Sequence, residues 1–97
     1  MRTGRRARHR WLHLVDLNTG APTTRVGLSV SKQVGGAVIR NLVKRRLRMI
    51  IQELPWQSGH DVVIVARSGI EQASFEDIRG ALRENAQKLR LLDALNA

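Results

Sequence analysis

The sequence predicts an α+β fold, a two-layer sandwich with two helices packed on one face of a small mixed sheet. Three observations carry that prediction. Residues 11–31 alternate apolar and polar side chains in two short segments, the period of half-buried strands. At Gly35-Gly36 the period changes, and apolar residues then recur at three- and four-residue spacing, as on a helix. A continuous apolar run at 61–66 precedes a second segment of helical period. With 97 residues there is room for one domain, 1–97, read as a basic stretch at 1–10 and a folded core at 11–92.

In order along the chain, Arg2, Arg5, Arg6, Arg8 and Arg10 fall within ten residues. Such a run cannot bury itself and reads as a flexible basic arm or an exposed edge. In Trp11–Leu17, Leu12 and Leu14 share one strand face, and Trp11, His13 and Val15 the other. Asn18-Thr19-Gly20-Ala21-Pro22 closes that strand. Arg25–Ser31 is a second strand with Val26, Leu28 and Val30 on one face, and the intervening turn suggests an antiparallel pair. A helix follows from Ala37 to Leu54 with Ile39, Val43, Leu47, Ile50 and Leu54 as its core stripe, ended by Pro55. Trp56–His60 reads as a loop, and Asp61–Ala66 as a strand buried on both faces. Ser74 with Glu76 and Asp77 resembles a capped helix start, and Ile78, Ala81, Leu82, Asn85, Leu89 and Leu92 continue at helical spacing. The order is β-β-α-β-α.

Charge separates the two halves. Residues 1–48 hold twelve Lys and Arg against one acid, Asp16, while residues 49–97 hold five against seven, and the whole chain carries +9. A small, strongly basic domain of this kind most often meets a polyanion. No apolar run reaches the roughly 20 residues that span a bilayer, and no signal-peptide core is present, so the expected location is cytoplasmic, with no membrane or small-molecule partner. Cysteine is absent, and His9, His13 and His60 lack metal-site spacing, so no metal is expected in the chain. The few acids offer no paired-carboxylate site, and Ser29 and Ser31 lack a nucleophile elbow, so no catalytic residue is expected.

The first helix carries the strongest functional signal. Arg40, Asn41, Lys44, Arg45 and Arg48 fall on an arc about 140° wide, away from the core stripe. A merely solvated face would carry acids one turn away, yet there is none between Val38 and Gln52. With Arg46, the helix holds five cations within four turns, which repel one another unless an anion neutralises them, and guanidinium groups grip phosphate bidentately. Trp11 and His13 either fill the core edge or belong to a sheet face on which unpaired bases stack.

Arg25-Val-Gly-Leu-Ser-Val-Ser-Lys32, followed by Val34-Gly-Gly-Ala-Val-Ile-Arg40-Asn41-Leu-Val-Lys44-Arg45-Arg-Leu-Arg48, resembles the protein component of bacterial ribonuclease P. The similarity continues through Val62-Val-Ile-Val-Ala-Arg67 and the final helix. It implies the protein subunit of a ribonucleoprotein endoribonuclease that removes the 5′ leader of precursor tRNA. The catalytic RNA would hold the Mg²⁺-dependent site, and the protein would contribute RNA binding. Carried over by position, the implied RNA-binding residues are Lys32, Arg40, Asn41, Lys44, Arg45, Arg48 and Arg67, and Arg46 is added to them on helix geometry. The implied leader cleft holds Trp11, His13, Val15 and Arg25. A left-handed crossover around the basic helix is implied as well, against the usual hand.

Against the family pattern, Gly36 replaces Asn before Ala-Val, Leu42 replaces the third residue of Arg-Asn-Arg, and Val15 stands where an aromatic is common. Arg46, one turn from Leu42, is expected to carry the displaced guanidinium. The sequence begins after the position of the family's N-terminal helix, so an incomplete leader cleft is expected. The rival readings are a ribosome-associated or DNA-binding basic module with no role in cleavage, and a protein-only nuclease, which needs a carboxylate cluster for Mg²⁺.

Overall fold

The computed structural model describes residues 4–93. Four strands, β1 (Arg5–Arg8), β2 (Leu12–Asn18), β3 (Arg25–Val30) and β4 (His60–Ala66), form one sheet in the order β1-β2-β4-β3. Helix α1 (Ala37–Glu53) links β3 to β4, and a short 3-10 turn (Ile70–Gln72) leads into α2 (Phe75–Lys88). The β1–β2 and β2–β4 pairs are antiparallel, whereas β3 and β4 are adjacent and parallel. The architecture is α+β, with a mixed sheet and two helices.

Strand registry divides the sheet into two faces. Ala7, Leu12, Leu14, Val62, Ile64 and Ala66 fall on one face and are all buried. Helix α1 supplies Val43, Leu47 and Ile50 to the same core, and α2 supplies Ile78, Ala81, Leu82 and Ala86. The opposite face carries Arg6, Arg8, His13, Val15, Leu17, Val63, Val65, Arg25, Gly27 and Ser29, and no described element covers it. Segment β4 is therefore not buried on both sides. Its outward Val63 is 41% exposed; the apolar run reflects a central strand with one open face.

Other expectations shift for identifiable reasons. The segments now named β2 and β3 are not paired, because β4 lies between them and bonds to both. The turn at 18–22 does not close a hairpin; Thr19 and Gly20 instead donate to the carbonyl of Gly59. Of the two readings of the 1–10 stretch, the exposed edge and not the free arm holds in its described part, since Arg5–Arg8 is the edge strand; residues 1–3 lie outside the described residues. Charged side chains on an edge strand discourage further pairing. Ile39 is not in the core but 41% exposed. It packs over Gly35, where an added Cβ would meet Ile39 Cγ2 at 2.9 Å.

Ser74 caps α2 as the sequence indicates, its hydroxyl accepting the Asp77 N–H at 3.0 Å. The helix stops at Lys88, so Leu89 and Leu92 are not helical. The Leu91 N–H reaches the Ala86 carbonyl at 2.9 Å and the Arg90 N–H reaches Gln87 at 3.0 Å, with Arg90 at φ 56°. That is a Schellman stop with arginine in the left-handed position. Beyond it, Trp56 and Leu92 form a bridge that ties the end of α1 to the end of α2. The Trp56–His60 segment is thus a packed connection, and His60 itself is the buried first residue of β4.

Candidate nucleic-acid interface

Helix α1 buries one side against the sheet and leaves its cationic side to solvent. Asn41, Arg45 and Arg48 are exposed, and Arg40, Lys44 and Arg46 are half-buried. Among the described residues none of these cations has an ion-pair partner. The Nε of Arg40 is buried without a hydrogen-bond acceptor. No acid occupies the first turn of α1, and its N-cap Gly36 offers no side-chain bond. The positive end of the helix dipole therefore adds to the side-chain field.

Lys44 and Arg48 line a groove with Val26, Gly27 and Leu28. Strand β3 is the outer strand on that side, so cations border an edge whose outward backbone groups are open. Arg25, at the start of β3, lies on the uncovered sheet face and is paired with Asp61. Lys32 follows β3 and Arg67 follows β4, and Val30 is in register with Ala66, so both lie at one end of the sheet. Arg67 is held there, its backbone N–H donating to Trp11 O at 2.9 Å and its Nη1 reaching His9 O at 3.4 Å.

The uncovered sheet face combines an apolar centre, Val15, Val63 and Val65, with cations at its margins. Arg8 stands opposite His13, and Arg6 opposite Val15. Burial lowers the His13 imidazole below the usual 6.5, and the neighbouring Arg67, Arg6 and Arg8 lower it further. Arg25 is engaged by Asp61 through two hydrogen bonds, at 2.7 and 2.9 Å, which raise its pKa further. Trp11 stands just before β2 and packs at the edge of the core, with His9 5.4 Å from its ring and Arg10 over it at 5.2 Å. The structure thus brings His13, Val15 and Arg25 onto one face and leaves Trp11 at its end.

Arg6 and Arg8 belong to this face but were not singled out as site residues in the sequence. The signal was the alternation Arg6-Ala7-Arg8, with small Ala7 inward. Arg5 points to the opposite side and binds Asp16. Asp16 and His60 form the one close acid–histidine pair among the described residues, 2.8 Å apart. The pair is buried, and both carboxylate oxygens are engaged within the fold, one by Arg5 and one by His60. Among the described residues no three His, Cys, Asp or Glu side chains are grouped to hold an ion. No described helix is long and apolar enough to cross a membrane.

The family model Ribonuclease P matches residues 1–90. The chain belongs to the ribonuclease P protein family. It is 53% identical over 68 residues to the ribonuclease P protein component of Lactococcus lactis subsp. lactis, a match covering 69% of this chain and 58% of that protein. To the component of Streptococcus pyogenes serotype M12 it is 35% identical over 91 residues, covering 93% of this chain and 76% of the relative. The match with the Lactococcus component thus spans less than two thirds of that protein's length. The fold matches the Staphylococcus aureus RNase P protein with a TM-score of 0.81 at 24% identity, over 93% of this chain and 84% of that one. The four-stranded mixed sheet with two helices is therefore the ribonuclease P protein fold.

Proposed function

We propose that the chain acts as the protein component of ribonuclease P, binding the catalytic RNA along α1 and the single-stranded 5′ leader of precursor tRNA on the uncovered sheet face. The observation that carries this is the cationic side of α1, whose Arg40, Lys44, Arg45, Arg46 and Arg48 have no ion-pair partner among the described residues and whose Lys44 and Arg48 border the β3 edge. Arg40, Lys44, Arg45 and Arg48 contact RNA phosphates and Asn41 bonds to the RNA beside them, with Lys32 and Arg67 at the sheet end and Arg46 beside Leu42 taking the guanidinium's role. His13, Val15 and Arg25 receive the leader together with Arg6 and Arg8, and Trp11 borders them. An apolar strip between cations suits a strand whose bases face the sheet and whose phosphates reach the margins.

Hydrolysis is assigned to Mg²⁺ held by the RNA and substrate; among the described residues no three His, Cys, Asp or Glu side chains are grouped to hold an ion. Incubating the chain with precursor tRNA, with and without a bacterial ribonuclease P RNA, tests the proposal. Cleavage at the leader junction that needs both components, at low Mg²⁺, supports it. Cleavage by the protein alone, or tighter binding to duplex DNA than to either RNA, overturns it. RNA affinity should also fall by roughly 10³-fold between about 50 and 200 mM salt if some six phosphates are neutralised.

A further inference from the structure

The side of α1 turned away from the core is not uniformly charged. Val38 is 83% exposed and Met49 53%, and Leu42, one turn from Val38, is half-buried. At 100° per residue Val38, Leu42 and Arg45 lie within about 60° of one another, almost opposite Leu47. Val38, Asn41, Leu42 and Arg45 line a shallow notch of ≈ 350 Å³, at the lower end of the range for small-ligand sites. Two of its lining side chains are aliphatic. The other two are a carboxamide, which both donates and accepts hydrogen bonds, and a guanidinium.

A phosphate gains nothing from the aliphatic pair Val38 and Leu42, and an apolar protein surface gains nothing from the unpaired cations around it. One nucleotide of single-stranded RNA satisfies both, because it joins a flat, weakly hydrated base to an anionic phosphate. A duplex cannot, since its base faces are already stacked. We propose that Val38, Asn41, Leu42 and Arg45 form a pocket for one unstacked nucleobase of the bound RNA. The base lies against Val38 and Leu42, as extruded bases lie against apolar side chains elsewhere. Asn41 bonds to its edge, and Arg45 takes the adjoining phosphate. Leu42 is then part of the binding surface in its own right. This rests on the RNA-binding reading of α1 and adds a non-electrostatic contact to it.

The test compares the full chain with its Val38→Ala/Leu42→Ala variant on a short labelled single-stranded RNA and on that strand annealed to its complement. Alanine favours the helix, and Val38→Ala alone, at an exposed site, guards against loss of fold. The double variant should bind the single strand about fivefold more weakly, in keeping with lost apolar contact. Its duplex affinity and the slope of affinity against salt should not change. Val38→Ala alone should show part of the single-strand loss. Unchanged single-strand affinity, equal losses on both RNAs, or a shallower salt slope would overturn the pocket while leaving α1 as a phosphate-binding helix. Failure of the unaltered chain to bind either RNA would overturn the RNA-binding reading, and the pocket with it.

Discussion

Arg5 on the edge strand donates two hydrogen bonds, at 2.8 and 3.2 Å, to one carboxylate oxygen of Asp16 on β2. The same guanidinium donates to the Leu89 carbonyl beyond α2 at 2.7 Å. His60 Nδ1 lies 2.8 Å from the other Asp16 oxygen. One buried carboxylate thus holds the first strand, the central strand and, through Arg5, the end of the last helix.

Removing that carboxylate is expected to be severe. The Asp16 side chain is fully buried and that of Arg5 46% exposed, so the consequences are asymmetric. Asp16→Ala leaves the buried His60 ring nitrogen and the half-exposed Arg5 guanidinium without their shared partner, and should lower stability by about 3 kcal/mol. Arg5→Ala leaves Asp16 bonded to His60 and loses a solvent-screened contact, about 1 kcal/mol. Urea denaturation of the two variants checks the ranking; equal losses would show that the carboxylate is not the organising group.

Arg90 holds a left-handed backbone at the end of α2, where a side chain is strained and glycine is not. Arg90→Gly should stabilise the fold by roughly 0.5–1 kcal/mol, which for a domain of this size is several degrees of Tm. A lower Tm in thermal unfolding would mean that the Arg90 side chain contributes more than its backbone costs.

The elements were legible where local pattern and tertiary role agree. Val43, Leu47 and Ile50 announce α1, and Ser74 with Glu76 and Asp77 announces α2. The pairing of strands was not legible, because whether β2 joins β3 or β4 depends on the long connection through α1 and not on the turn between them. Nor was the helix stop at Lys88, since the Leu89–Leu92 spacing serves a helix and a Schellman turn equally well. Of the candidate site, the α1 cations could be read from missing acids at one-turn spacing. Arg5, Arg6 and Arg8 could not be told apart by composition. Only the register with β2 sends Arg5 inward to Asp16 and the other two to the open face.

Asp61 occupies Arg25 on the uncovered face at 2.7 Å, so a leader phosphate must displace a carboxylate to use that guanidinium. Asp61→Asn removes both the competing anion and its repulsion of RNA. Single-stranded RNA should bind a few-fold more tightly, with a salt slope steeper by about one contact. Weaker binding, or an Arg25→Ala variant with unaltered affinity, would place the leader elsewhere.

His13 gives the open face a dependence on pH. Burial, then Arg67, Arg6 and Arg8, hold its imidazole below 6.5, so it is neutral in the free protein at pH 7. Phosphates arriving on this face neutralise the arginine field and bond to the charged ring, which raises the pKa in the complex. Binding then takes up a proton, and affinity for single-stranded RNA should rise as pH falls through the bound-state pKa. The increase should level off below the free-state value. His13→Gln should flatten that rise while leaving affinity at pH 8 nearly unchanged, because the neutral ring contributes no charge there. Fluorescence titrations across the pH range on both proteins check the sign. A full acid-side rise in His13→Gln would assign the titration to another group of the complex and remove His13 from the phosphate path.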